Sequence, residues 1–568
     1  MRRFSIVALV AATFTAPPVS AENNAGAYLA GRVAIANSDF SAASQYYTRA
    51  LSRDPGNPGL LENAALAQLA LGQLDRGVAI AEVMEANGLR SQVAHMTMVA
   101  HLVNEGDYAA LLARDPETQG IGPLVDGLIS AWSHFGAGSV QQGLDEFDLV
   151  AEQNGLRGFA LFHKAMALAM VGDFEGAEAI YSDPQAGPSM MTRRGAVARA
   201  EILSQLGRNE DALELLADAF GSVFDPGLTV VADRLAAGEQ LPFTHIRSVA
   251  DGMSEVFFTI SAALSGEAAD DYALIYGRVA EYLRPDHVDA ILLVAQLLED
   301  LGQYDLAVAA YKNIPSDSPD FSAAELGRAE VLRRNAKPDA AIEVLEQLAE
   351  DYPSLPAIFS ALGDIHRQQE DYSDAIAAYD KALGYTEPGD RTEWFLHYAR
   401  GISYERQDNW PAAESDFRAA LELNPDQPQV LNYLGYSLVE KQINLDEALD
   451  MIQRAVAARP DSGYIVDSLG WVLYRLGRYE QAVEHMEKAV ALMPVDPVVN
   501  DHLGDVYWAV GRYREAEFQW KRALSFIDPT DTGGEADPDR IRRKLEVGLD
   551  QVLVEEGALP LEVANDDG

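Results

Sequence analysis

The pattern that most constrains this chain recurs three times between Pro425 and Pro529, at a spacing of 34 to 35 residues. Each copy opens with a leucine–glycine pair, with glycine at Gly435, Gly470 and Gly504, and places an apolar or aromatic residue three positions later. Small and apolar positions separated by three and four residues lie on one face of an α helix. Each copy therefore predicts two amphipathic helices that form a hairpin.

The second half of each copy repeats alanine, a long apolar residue, alanine and proline, at Ala448, Ile452, Ala455 and Pro460, at Ala482, Met486, Ala489 and Pro494, and at Ala516, Trp520, Ala523 and Pro529. Glycine inside a helix costs roughly 0.5 to 1 kcal/mol relative to alanine, so its recurrence predicts a neighbouring helix that leaves no room for a side chain. Proline cannot continue a helix and so predicts the turn into the next copy.

Together these features resemble the tetratricopeptide repeat (TPR) family, whose period is 34 residues. The resemblance implies an all-α fold, a right-handed superhelical α-solenoid of about 13–15 stacked TPR-like hairpins. It covers nearly the whole chain after the N-terminal segment and is most specific from about residue 290 onward.

The small first-helix position extends towards both ends of the chain. An N-terminal arm of degenerate repeats is predicted over 22–219, with small residues at Gly31, Ala65, Ala100, Ala131, Ala165 and Ala200. A second arm is predicted over 251–527, with small residues at Ser261, Ala295, Gly327, Gly363, Gly401, Gly435, Gly470 and Gly504. The step of 61 residues between the arms and the glycine and proline residues after Phe220 predict an irregular joint at 220–250. Two degenerate helices that continue the stack are the alternative.

The C-terminal end is predicted to close the array. Asp537 and Pro538 are typical of a helix cap and first turn, and Ile541, Leu545 and Leu549 predict one amphipathic helix after them. Residues 528–562 are therefore interpreted as a capping region that covers the last apolar face, and 563–568 as a disordered tail.

The N-terminus has the pattern of a signal peptide over residues 1–21. Arg2 and Arg3 precede a short apolar run, and the run is followed by a small-x-small site that ends at Ala21. We expect cleavage after Ala21 and export, to the periplasm if the source is a Gram-negative bacterium. No other segment is long and apolar enough to predict a membrane span.

Composition restricts the partners and the chemistry. The chain has no cysteine, which excludes disulfides, thiol catalysis and lipid attachment to cysteine. Its formal net charge of -45 makes nucleic acid an improbable ligand, because phosphates would be repelled.

Motif searches predict a non-enzymatic protein without a cofactor or metal. The sequence lacks the zinc-protease, nucleophile-elbow and phosphate-loop motifs. A metal pair of His485 and His502 has no supporting ligand spacing. The acidic cluster Asp528, Asp531, Glu535, Asp537 and Asp539 lacks the alternation of a calcium loop, so a solvated turn is the preferred interpretation.

In the TPR family the first helices line a groove, and fixed offsets from the small position face into it. Transferred to the three clearest copies, these offsets predict a partner-binding groove of Asn432, Tyr436, Val439, Asp467, Trp471, Tyr474, Asp501, Asp505 and Trp508. Aromatic side chains of this kind dominate binding hot spots, although packing between repeats is the competing interpretation.

The same offsets depart from one branch of the family. Members that clamp a C-terminal carboxylate place lysine, asparagine and arginine there, whereas this chain has Asn432, Asp467 and Asp501, which would repel a carboxylate. The sequence thus predicts an envelope scaffold or adaptor that binds proteins or peptides. A glycan-binding module for peptidoglycan or exopolysaccharide, built on the same aromatics, is the alternative.

Overall fold

The computed structural model describes residues 24–183, 192–221, 224, 226–528 and 536–557, and every regular element within them is an α helix. The predicted signal peptide, its cleavage site, the tail at 563–568 and the acidic residues Asp531 and Glu535 lie outside the described residues. None of the described helices has both the length and the apolar character needed to cross a bilayer.

The chain forms two compact units, Met1–Val344 and Leu345–Gly568. The first contains α1 (Asn24–Ala36), α2 (Phe40–Leu51), α3 (Pro58–Ala70), α4 (Leu74–Ala86), α5 (Gln92–Glu105), α6 (Tyr108–Leu112), α7 (Pro116–Gln119), α8 (Pro123–Gly136), α9 (Val140–Ala151), α10 (Arg157–Met170), α11 (Phe174–Tyr181), α12 (Arg193–Gln205), α13 (Asn209–Phe220), α14 (Pro226–Ala236), α15 (Val249–Leu264), α16 (Asp270–Leu283), α17 (Val288–Asp300), α18 (Tyr304–Tyr311) and α19 (Phe321–Arg334).

The division between the units falls within α20 (Pro338–Asp351). The second unit continues with α21 (Pro356–Gln368), α22 (Tyr372–Tyr385), α23 (Glu393–Arg406), α24 (Trp410–Leu423), α25 (Pro428–Glu440), α26 (Leu445–Ala458), α27 (Gly463–Arg475), α28 (Tyr479–Leu492), α29 (Pro497–Ala509), α30 (Tyr513–Phe526), α31 (Pro538–Val547) and α32 (Leu549–Glu555).

The helical hairpins of the repeat pattern are confirmed. From α21 to α30 each first helix packs against the second helix that follows it, and each second helix also contacts the next first helix. A Cβ atom added at Gly435 would lie 2.7 Å from Ile452 Cγ1, and one at Gly470 would lie 2.7 Å from Met486 Cγ. The recurrent glycine therefore exists because the long apolar residue of the second helix occupies the space of a side chain.

The degenerate repeats of the first unit follow the same rule. Their predicted alanine and serine positions are all fully buried, at Ala65, Ala100, Ala131, Ala165, Ala200, Ser261 and Ala295. The 34-residue register is thus maintained where glycine has been replaced, because alanine and serine are still small enough for close helix contact.

The first unit departs from the expectation that each repeat contacts only its neighbours. Helix α16 packs against α3 and α5, and α15 packs against α5, α8 and α10. Gln92 donates a hydrogen bond to Tyr276 Oη at 2.7 Å, and Arg278 Nε donates one to the Ala70 carbonyl at 3.0 Å. Distant repeats therefore share one hydrophobic core, which a purely nearest-neighbour solenoid lacks.

Residues 220–250 contain more regular structure than the predicted joint, since α14 lies within them and packs against α13. The segment after α14 is irregular and is attached to α12. Glu201 accepts hydrogen bonds from the Thr244 backbone at 2.8 Å and from the Thr244 hydroxyl at 2.7 Å, and Ser204 accepts one from the Leu241 backbone at 2.8 Å. This region lies inside the first unit, and the arm boundaries at 219 and 251 stay predictions.

The C-terminal cap is formed by two helices where the sequence pattern predicted one. Asp537 caps α31, and Pro538 is its first residue, as expected. The helix ends at Val547, because Gly548 adopts φ 86° and ψ 157°, a conformation that essentially only glycine adopts. Leu549 therefore begins α32 instead of continuing the face of Ile541 and Leu545.

Candidate functional site

A cleft of about 720 Å³ lies in the second unit, on the side formed by first helices. Helices α23, α25, α27 and α29 supply most of its wall, and Arg540 of α31 contributes at one end. Its polar and aromatic lining residues include Asn432, Tyr433, Tyr436, Ser437, Tyr464, Asp467, Ser468, Trp471, Asp501 and His502. Tyrosine, serine, asparagine and tryptophan are the side chains that protein-binding surfaces use to combine apolar area with adaptable hydrogen bonding.

The predicted groove residues are only partly brought together. Asn432, Tyr436, Asp467, Trp471 and Asp501 line the cleft. Val439, Tyr474, Asp505 and Trp508 are not among its lining residues. Val439, Tyr474 and Asp505 are buried, and the ring of Trp508 packs against Gly548.

Asn432 places a hydrogen-bond acceptor in the wall of the cleft. The residue is 8% exposed, and its Oδ1 atom accepts no hydrogen bond from any residue that the structure describes. Buried polar atoms are nearly always paired, because leaving one unsatisfied costs about 1 to 3 kcal/mol. A ligand that donated an N–H or O–H here would remove that cost.

Trp471 lines the cleft and is fixed by contacts with three neighbouring side chains. Its Nε1 atom donates a hydrogen bond to Glu440 Oε1 at 2.8 Å. The Tyr474 ring stacks on it with centroids 4.9 Å apart, and the His502 ring stacks on it at 4.0 Å. An aromatic side chain fixed in this way loses little conformational entropy when a partner binds.

His502 connects this ring stack to the acidic floor of the cleft. Its Nδ1 atom lies 3.0 Å from Asp467 Oδ2. Burial alone would lower the pKa of His502, but the carboxylates of Asp467, Asp501 and Asp505 outweigh burial and raise it above its ordinary value. Asp467 therefore already has a hydrogen-bond partner within its own chain.

The far end of the predicted groove is occupied by α31. Lys544 Nζ is fully buried and lies 2.9 Å from both Asp501 carboxylate oxygens and 2.6 Å from Asp505 Oδ1. Trp508 Nε1 donates a hydrogen bond to Asp550 Oδ2 of α32 at 3.0 Å. Burial, with the neighbouring Asp505 carboxylate, raises the pKa of Asp501, although Lys544 opposes this.

Residues outside the predicted offsets make one end of the cleft mainly apolar and the other end basic. Tyr464, Met493 and Val498 lie towards the N-terminal ends of the first helices, whereas Arg406, Lys441 and Arg475 lie at their C-terminal ends. The basic residues recur at spacings of 35 and 34 in the sequence, a signal that could have identified them. Cations at helix C-termini also offset the helix dipole, so the same spacing has a structural explanation.

The acidic side chains of the cleft have partners in the chain, such as His502 for Asp467 and Lys544 for Asp501. Within the described ranges no group of three or more histidine or carboxylate side chains is arranged to hold a metal ion. The cleft offers aromatic surface, an unpaired amide acceptor and side-chain hydroxyls.

Comparison with known proteins supports the repeat assignment. A family model described as tetratricopeptide repeat matches residues 28–88, 326–390 and 398–463, and a second model with the same description matches 466–494. A TPR repeat-containing protein of Pseudomonas aeruginosa is 30% identical over 163 residues, which are 28% of this chain and 26% of that protein. The general transcriptional corepressor ssn6 of Schizosaccharomyces pombe is 31% identical over 138 residues, 24% of this chain and 12% of that protein.

The chain thus spans about a quarter or less of the length of these two relatives. Among solved structures, the APC/C hetero-tetramer Cut9–Hcn1 aligns over 93% of this chain and 96% of the matched chain, at 14% identity and a TM-score of 0.39. The chain therefore contains segments that match tetratricopeptide repeats over these ranges, and its stacked hairpins with their glycine contacts have the architecture of such repeats.

Proposed function

We propose that this protein is a non-enzymatic scaffold or adaptor that binds a segment of a partner protein in the cleft of its second unit. The observation that carries the proposal is the unpaired buried acceptor of Asn432 in the wall of a cleft that is also lined by the aromatic side chains of Tyr436 and Trp471. A peptide can supply the hydrogen-bond donor that Asn432 Oδ1 lacks, because every residue except proline carries a backbone N–H group.

The size of the cleft fits this ligand class. A volume of about 720 Å³ lies within the range of ligand-binding clefts, roughly 300 to 1,000 Å³, and accommodates a few residues of a peptide rather than a folded domain. The apolar end at Tyr464, Met493 and Val498 suits a hydrophobic side chain of that segment.

We further propose that the protein acts in the cell envelope after export. The pattern of paired arginines, a short apolar run and a small-residue site at Ala21 supports a cleaved leader. The absence of cysteine is compatible with an oxidising compartment, because it leaves no thiol to cross-link there.

Glycan binding in the same cleft is less favoured by the geometry. A sugar platform needs an open aromatic face, whereas the Trp471 ring is stacked with both Tyr474 and His502. Purified sacculi therefore serve as the comparison ligand in the test below.

The test is cross-linking in intact cells followed by recovery of the full chain. We expect the double variant Asn432→Leu and Tyr436→Ala to lose at least about tenfold in partner recovery, the loss associated with removal of a binding hot spot. Asn432→Leu should leave the melting temperature unchanged or higher, because it replaces an unsatisfied buried amide by an apolar group of similar size. The recovered chain should begin at Glu22.

Phe518→Ala is the matched control, since Phe518 is 59% exposed on α30 and is not among the cleft residues. A folded double variant that still retains every partner would rule out the cleft as the binding site. Capture by purified sacculi that is lost in the double variant would favour the glycan function instead. Recovery of a chain that still begins at Met1 would contradict export.

A further inference from the structure

The helix pair α31–α32 covers a surface that continues the groove. The 34- to 35-residue register that relates Asn432 to Asp467 leads next to Asp501, and the register that relates Tyr436 to Trp471 leads next to Asp505. Asn432, Asp467 and Trp471 line the open cleft, whereas Asp505 lies beneath α31. The groove face therefore continues along α29, from Asp501, which lines the open cleft, to Asp505, which α31 covers.

A lysine side chain occupies that covered part. Lys544 Nζ contacts Asp501 and Asp505 at 2.6 to 2.9 Å and lies 5.7 Å from the centre of the Trp520 ring. Trp520 Nε1 donates a hydrogen bond to Asp505 Oδ1 at 2.9 Å and so fixes that carboxylate. Two carboxylates and an aromatic ring around one ammonium group form a subsite for a cationic side chain.

The attachment of α31–α32 combines the buried Lys544 ammonium group with an apolar contact, in which Leu545 and Leu553 are partly buried beside the fully packed Ile541 and Leu549. Ile541 and Lys544 are the buried residues of α31, and Leu549 and Val552 are those of α32. The other charged side chains make ion pairs near the surface, such as Arg540 with Glu556 and Arg543 with Glu555, which stabilise a protein little. Burying an ammonium–carboxylate contact also carries a desolvation cost that offsets much of its attraction.

We propose that α31–α32 is a displaceable latch, and that the Asp501–Asp505 subsite accepts a lysine or arginine side chain of a partner segment when the latch leaves. This proposal rests on the proposed binding function and specifies the partner as basic at one position. Departure of α31–α32 would uncover Asp505 and Trp508 and free the Asp501 carboxylate from Lys544, and the repeat offsets assigned all three residues to the groove. The net charge of -45 favours the approach of a basic segment.

The subsite has the reverse polarity of a carboxylate clamp. Two carboxylates that share one cation repel an anionic ligand, so the C-terminal carboxylate of a partner is excluded at this position. A partner lysine would restore the ammonium contacts with Asp501 and Asp505, whereas the Arg540–Asp505 ion pair at 3.6 Å would be lost with α31. The choice between the latch and a partner therefore depends on the rest of the incoming segment.

The test uses full-length chains and a synthetic peptide with the sequence of residues 536–557 as the probe. The Lys544→Glu chain places a third carboxylate beside Asp501 and Asp505 and should release its own latch. We expect it to bind the wild-type peptide at least tenfold more tightly than the wild-type chain does. In the first control the peptide itself carries Lys544→Glu, and we expect it not to bind. In the second control the Lys544→Glu chain also carries Asp501→Asn and Asp505→Asn, and we expect it not to bind the wild-type peptide.

A Lys544→Met chain provides a second unlatched variant in case Lys544→Glu disturbs α29, and circular dichroism establishes that either chain is folded. Hydrogen exchange on the wild-type chain should show residues 536–557 opening faster than α29. Equal peptide affinities of wild-type and unlatched chains, or exchange of 536–557 only together with α29, would overturn the latch. The probe comes from this chain and leaves Asn432 and Tyr436 intact, so the result is independent of whether partners bind in the open cleft.

Discussion

At the scale of the residue, the recurrent glycines have different neighbours and therefore different tolerance to a side chain. A Cβ atom at Gly470 would meet the flexible Met486 side chain, whereas one at Gly504 would meet the rigid indole of Trp520. Gly384 lies in α22 with no atom within 4 Å of an added Cβ. The same substitution thus has three different physical consequences.

We expect Gly504→Ala to destabilise the second unit by about 1 to 3 kcal/mol, because Trp520 cannot yield without moving a helix. Gly470→Ala should cost less, since Met486 can change rotamer. Gly384→Ala should stabilise by roughly 0.5 to 1 kcal/mol, since alanine favours the helix and meets no obstacle. Denaturant titration gives the three free energies of unfolding, and an equal effect at all three sites would contradict the packing explanation.

Residue-scale prediction from the sequence succeeded where spacing alone carries the information. The glycines and the second-helix residues Ile452, Met486 and Trp520 are fixed by one period, and their contact follows from it. Spacing could not show that Asp505 is paired with Lys544, because 39 residues and an independent helix separate them.

At the scale of the element, the cap shows how one glycine divides a helix. Gly548 has φ 86°, and a Cβ atom there would lie 2.5 Å from Trp508 Cζ2. The backbone thus turns from α31 into α32 at the point where it touches the indole ring. The apolar spacing of Ile541, Leu545 and Leu549 predicted one helix, because that spacing takes no account of Gly548, which lies between the two leucines.

We expect Gly548→Ala to destabilise the docking of α32 by more than about 1 kcal/mol, since it combines a strained backbone with a steric clash. Hydrogen exchange should show lost protection in α32 and retained protection in α27 and α28. Gly557→Ala is the control, because Gly557 also has positive φ, at 73°, but no atom lies within 4 Å of an added Cβ. Equal loss of α32 protection in both variants would show that strain alone is responsible.

At the scale of the whole molecule, the two units combine the same repeat with different long-range contacts. In the first unit, α15 and α16 join repeats that are far apart in the chain, and Arg278 donates a hydrogen bond to the Ala70 carbonyl 208 residues away. In the second unit, the contacts from α21 to α30 are mainly between successive helices. The sequence could predict the second arrangement, because it is local, but it carries no periodic signal for the first.

We expect Arg278→Met to lower the stability of α3, α5 and α16 together, by about 1 to 3 kcal/mol, because the Ala70 carbonyl loses its buried donor. Hydrogen exchange by mass spectrometry would show the three helices changing in parallel, with α25 to α30 unaffected. Arg49→Met, at an exposed position of α2, is the control and should change little. A change confined to α16 would show that the distant helices do not unfold as one unit.

The packing of α16 against α3 and α5 also determines when the core of the first unit can be completed during synthesis. Helices α3 and α5 are synthesised long before the residues that cover them, because Tyr276, the hydrogen-bond partner of Gln92, follows it by 184 residues in the chain. Successive hairpins can form as they appear, but their shared core is completed only after Leu283 has emerged. Until then the apolar surfaces of α3, α5 and α8 remain open to water and to other chains, so the growing protein is most exposed to aggregation in this interval.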